Sequence, residues 1–123
     1  MEEIIYEEIN FIFTNEIKSF DNGKDPVLKE GCEWKKIEII KNPKYISRIT
    51  QHDAGPINTE MVSAVTEYDP NSILRKHLGF HVILQLKSEI DIFFVGSLQN
   101  PANYQIQPSS EEDTYIFIAK SSA

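Results

Sequence analysis

The chain has 123 residues, too few for two independent hydrophobic cores, and its 41% hydrophobic, 25% charged composition is that of a folded globular domain. A net charge of −7 disfavours nucleic acid as a partner, because phosphate neutralisation needs a basic surface. The single cysteine, Cys32, excludes an intramolecular disulfide and a cysteine-rich zinc site, and reads as a small core or loop residue.

The charge is unevenly spread. Five acids and no base precede residue 17, eight bases face five acids from 17 to 50, and nine acids face four bases thereafter. Met1 is followed by Glu2 and Glu3, unlike the basic start of a signal peptide, and no apolar run has the length of a membrane span. The expectation is a cytoplasmic protein without a membrane partner. Isoleucine outnumbers leucine by 18 to 6, and β-branching favours strands over helices.

Residues 8–14 read as a strand with Phe11 and Phe13 inward. Asp21-Asn22-Gly23 is a turn signal, and Asp25-Pro26 and Gly31 mark more loop. Residues 34–40 read as a second strand with Ile37 and Ile39 inward. Residues 44–50 fit no single period. Residues 59–68 alternate as a strand does, although Met61, Val62, Val65 and Tyr68 also fit a helical face; their β-branched content favours strand.

The pattern sharpens after residue 68. Asp69-Pro70 predicts an N-cap followed by proline at the first helical position. Ile73, Leu74, His77 and Leu78 recur at helical spacing, and Gly79 closes a helix of two turns as a left-handed cap. Residues 80–86 and 90–95 predict an antiparallel hairpin joined through Lys87, Ser88 and Glu89. Both strands are apolar on both faces and belong in the middle of a sheet. Residues 114–119 read as a third such strand, and residues 99–113, with two prolines and three acids, as a long surface loop with a short extended piece near Tyr104 and Ile106. The sum is a single α+β domain over residues 1–123, mostly antiparallel sheet with one or two short helices.

No phosphate-binding glycine loop, paired-histidine metalloprotease motif or nucleophile elbow occurs. His77 and His81 have the spacing of a metal pair on one helix, but Gly79 ends the predicted helix between them. His52-Asp53 resembles a base beside its orienting carboxylate, yet adjacent side chains seldom face each other, so a polar turn is expected. Lys35, Lys36, Lys41, Lys44 and Arg48 lie near Trp34 and Tyr45, a pattern that can grip single strands. Glu33 and Glu38 interrupt it, and a solvated strand edge guarded by lysines is the expectation. The reading therefore has no catalytic residue, cofactor or metal: the protein is expected to be a binder, not an enzyme.

The acids are the better lead. Glu67, Asp69 and the Glu111-Glu112-Asp113 run, with Asp53 in its glycine-containing loop, would form a negative patch if they converge. Tyr68 and Tyr104 are the natural aromatic anchors beside it. In size, acidity, single-domain α+β pattern and lack of a catalytic motif, the whole chain resembles the immunity proteins of bacterial toxin systems, those of contact-dependent growth inhibition in particular. That resemblance implies binding to a co-encoded toxin domain, often a basic nuclease, with its active site or substrate surface covered. Immunity proteins share no common fold, so the resemblance transfers no residue roles. The alternative is a small-molecule or enzymatic pocket in a curved antiparallel sheet, lined by aromatics of the last strands with His81 or His52 as its polar group.

Overall fold

The computed structural model describes residues 5–21 and 24–122. The Glu2-Glu3 start and the Asn22-Gly23 half of the predicted turn lie outside these. β1 (Glu8–Phe13) runs through a 3-10 turn, Thr14–Glu16, into the short strands β2 (Ile17–Ser19) and β3 (Val27–Leu28). β4 (Lys35–Lys36), β5 (Lys44–His52) and β6 (Gly55–Glu67) follow, then the single-turn helix α1 (Ile73–Lys76). β7 (Val82–Lys87), β8 (Ile92–Val95), β9 (Asn103–Pro108) and β10 (Glu112–Ser122) complete the chain.

Two four-stranded antiparallel sheets result, in the orders β4-β1-β7-β8 and β5-β6-β10-β9. They are joined at two corners. Ile39, between β4 and β5, bridges to Thr66 of β6, and Ala102, between β8 and β9, bridges to Val82 of β7. Each corner is made by one run of chain that leaves one sheet and enters the other, as in orthogonally packed sheets. Pairing therefore closes in a ring: β1, β7, β8 into β9, β10, β6, and β5 back through β4 to β1. At the second corner Gly96 has φ +93°, and a Cβ there would stand 3.2 Å from the backbone nitrogen of Ala102. A side chain at this bend would push the crossing strand away from its bridge.

Strand alternation supplies the interior. Ile9, Phe11 and Phe13 of β1, Val82, Leu84 and Leu86 of β7, Val62 and Ala64 of β6, and Tyr115, Phe117 and Ala119 of β10 all turn inward and are buried. The opposite face of β1 and β7 is also covered: Ile12, Ile83 and Ile17 form a second cluster beneath Phe20, Leu28 and Trp34. Phe94 of β8 closes it, 5.6 Å from the Phe20 ring and 5.9 Å from that of Trp34. The two-faced apolar pattern of β7 thus has its cause, a barrel wall with a hairpin packed outside it; β8, expected in mid-sheet, lies at the edge of its sheet, with Ile92 half exposed.

Several expectations need correction. The antiparallel sheet is present, but among the described residues helix is confined to α1 and the 3-10 turn, so the α+β label overstates the helical share. The helix is one turn long, and its N-cap is Ser72, whose Oγ accepts from the Arg75 N–H at 3.1 Å. Asp69 instead organises the preceding turn, its carboxylate accepting from the Asn71 N–H at 2.9 Å. Most of the predicted loop at 99–113 is strand, β9 and the start of β10. Residues 34–40 pair as strand only at Lys35–Lys36 and at the Ile39 bridge, because the chain turns between sheets there.

Candidate functional site

The mouth of the barrel at the β6–α1 end brings together much of the predicted acidic patch. β10 pairs with β6 so that Glu112 lies opposite Glu67. The next pair outward is hydrogen-bonded, with the Tyr68 N–H donating to the Glu111 carbonyl at 3.0 Å. Bonded and non-bonded pairs alternate in an antiparallel ladder, so Glu67 and Glu112 occupy a non-bonded position, where opposed side chains come closest. Glu67, Tyr68, Asp69, Glu111 and Glu112 therefore share one end of the molecule. Tyr68 is 48% exposed, with the Arg75 guanidinium 5.2 Å from its ring centre.

Three of the predicted residues do not join this surface. Asp53 sits in the turn between β5 and β6, beyond the Gly55 end of β6, and Gly55 is twelve positions from Glu67, which at strand rise is about 40 Å of chain. Asp113 is fully buried: its oxygens accept two hydrogen bonds from Arg75 at 2.8 Å, and a third from the Asp69 N–H at 3.2 Å. Those Arg75 bonds hold the Asp113 carboxyl below the usual carboxylate range, against burial, which pushes it up. Tyr104 is half-buried, and its hydroxyl donates to the carbonyls of Leu74 and of His77, the latter at 2.7 Å. Burial, with Tyr115 nearby, pushes that hydroxyl up to about 12. Asp113 and Tyr104 thus anchor α1.

Tyr115 completes the anchorage, its hydroxyl donating to Ser72 Oγ at 2.9 Å. Leu74 points into the core beneath these polar contacts. A four-residue helix has no stability of its own. Side chains from β9 and β10 hold it as a plug across the barrel end.

Beside the plug lies a groove of about 770 Å³, walled by residues 35–40 on one side and by 66–69 and 71–74 on the other. Its lips carry Ile40, Ile73 and Tyr68, each close to half exposed. Lys35 belongs to this wall but is neutralised, its Nζ donating to both oxygens of Glu16 at 2.9 and 3.0 Å. Among the described residues no cation lies within ion-pairing distance of Glu38, Glu67, Asp69, Glu111 or Glu112. The mouth is therefore an anionic rim around a partly apolar groove. The sequence points to Lys36 as a strand-edge lysine and to Ile73 as part of a helical face, but not to their place at this groove, nor to Ile40 or the Arg75 anchor, because these roles depend on pairing between distant segments. The one local signal was an arginine inside a predicted helix in a chain with only two arginines.

The other candidates resolve into structure. His77 packs between Phe13 and Phe80, with ring centres 5.1 and 5.3 Å away, and its Nδ1 lies 2.8 Å from the Ile73 carbonyl. No cluster of three or more potential metal ligands occurs among the described residues. His52 and Asp53 form the end of a two-residue hairpin turn, where His52 Nε2 meets Thr50 Oγ1 at 3.0 Å. Cys32 is a half-buried loop residue. Among the described residues no helix is long and apolar enough to cross a membrane. No protein-family model matches the chain, and neither a curated protein nor a solved structure matches it.

Proposed function

We propose that the protein is a cytoplasmic immunity protein that binds and neutralises a co-encoded toxin domain, a basic nuclease, by laying its acidic barrel mouth over the toxin's active site or substrate surface. The observation that carries this reading is the pairing of Glu67 with Glu112. Like charges directly opposed across two strands cost stability, and at a non-bonded position they stand closest. A cationic partner relieves that cost, so the repulsion stored at the mouth becomes binding energy. Inhibition by occupancy needs no catalytic group, metal or cofactor.

A small-molecule site within the curved sheet has less support. The aromatics that would line it fill the interior instead: Phe117 is wholly buried, and Tyr6, Tyr45 and Phe93 pack on one another at 5.2–6.4 Å.

Co-expression with the polypeptide encoded immediately upstream tests the reading. A one-to-one complex that protects cells from that polypeptide is expected. Its affinity should fall as salt rises from about 0.1 to 1 M, which shortens the screening length from about 10 to 3 Å. Absence of both complex and protection would sink it.

A further inference from the structure

The groove itself says what part of a partner it takes. Pairing between its two walls ends at the Ile39–Thr66 bridge, beyond which the chains part around the opening. On the β4 wall, Lys35 is in register with Phe11, and the Ile37 N–H donates to the Ile9 carbonyl at 3.0 Å. Successive strand residues point their backbone groups to opposite sides, so the N–H and carbonyl of Lys36 turn away from β1, toward the groove. That is a donor and an acceptor placed as a strand edge places them, open to an extended chain.

Charge and shape then choose the side chain. Glu38, Glu67 and Asp69 are among the residues that line the groove, and Glu111 and Glu112 lie at the same end; Lys35 and Arg75 are already committed to Glu16 and Asp113, which leaves Lys36 as the one cation on the walls outside an ion pair among the described residues, against three acids. Ile40 and Ile73 offer an apolar lining for a long aliphatic stem, and the half-exposed Tyr68 ring offers the cationic head the side that the Arg75 guanidinium leaves uncovered.

We infer that the groove receives an arginine side chain presented by an extended segment of a protein partner, the segment lying along Lys36 and the guanidinium reaching Glu67 and Tyr68. This rests on the mouth being the partner-binding surface, and it specifies what the mouth reads.

The test uses the intact protein and three synthetic heptapeptides of alternating sequence, Arg-Val, citrulline-Val and Glu-Val, titrated while backbone amide shifts are followed. The Arg-Val peptide should shift the amides of Lys36, Tyr68 and Ile73 and bind at least fivefold tighter than its uncharged citrulline counterpart. N-methylation of its backbone should abolish the Lys36 shift, a control that leaves the protein unaltered. E67K should lose Arg-Val binding, and its unchanged spectrum elsewhere would exclude misfolding. Equal binding of the citrulline peptide, shifts clustered away from the groove, or a dimer already protecting Lys36 without peptide would each overturn the inference. Peptide binding without capture of the upstream polypeptide removes the toxin reading alone. Capture without peptide binding removes the groove alone.

Discussion

At the residue scale, the pair that matters most is Arg75 with Asp113, because it holds the plug and lies within one residue of the acidic rim. Asp113 is fully buried and Arg75 partly so, so the two partners are not equivalent. R75A leaves a buried carboxylate without its counter-ion and should cost about 3–5 kcal/mol in urea unfolding. D113N should cost less, because the remaining guanidinium can reach water. The pH dependence follows from the direction of the Asp113 shift. A carboxyl held below its unfolded value contributes stability that is fully present above that value, about pH 4, and is lost as pH falls through the folded one. Wild type should therefore lose stability more steeply than D113N below about pH 4, and parallel curves would contradict this role. Glu112 makes the opposite case: E112Q should raise stability by about 0.2–1 kcal/mol, by removing the like-charge opposition to Glu67, while weakening partner binding.

At the element scale, α1 is held by its neighbours and not by its own propensity. S72A removes both the N-cap acceptor and the acceptor of the Tyr115 hydroxyl, and should cost about 1 kcal/mol. Amide exchange across Ile73–Lys76 should accelerate far more in S72A than exchange in β7, which lies in the core; uniform acceleration would mean that the plug and the barrel are a single unit. This element also marks what the sequence made legible. Gly79 at φ +95° and the hairpin at residues 80–95 could be read locally, because turn chemistry and two-residue alternation are properties of neighbouring residues. Ser72 as N-cap was hidden behind the stronger-looking Asp69-Pro70 pair. β9 was hidden because its Asn, Gln and Pro content reads as loop, and it becomes strand only beside the apolar β10.

At the scale of the whole molecule, closure of the ring decides which acids meet. Composition gave the acidic excess, but convergence of Glu67 with Glu111 and Glu112 follows from an eleven-rung register between β6 and β10 that no local pattern encodes. The same register sends Asp53 to the far end of the hairpin and turns Asp113 into the wall while its neighbour Glu112 faces out. One position along a strand separates a structural carboxylate from a surface one. No local pattern encodes the groove either, since its two walls, residues 35–40 and 66–74, are distant in sequence and adjacent only because the sheets join at Ile39.

The proposed immunity role requires this acidic mouth to capture a basic toxin domain. The measurement that tests it most directly is the association rate with the upstream-encoded polypeptide, for wild type and for the double reversal E67K/E112K, across a salt series. At least a tenfold slower association is expected for the reversal at about 0.1 M salt, a difference that shrinks as salt rises, with folding stability no lower than wild type. Equal association rates at low salt would contradict it.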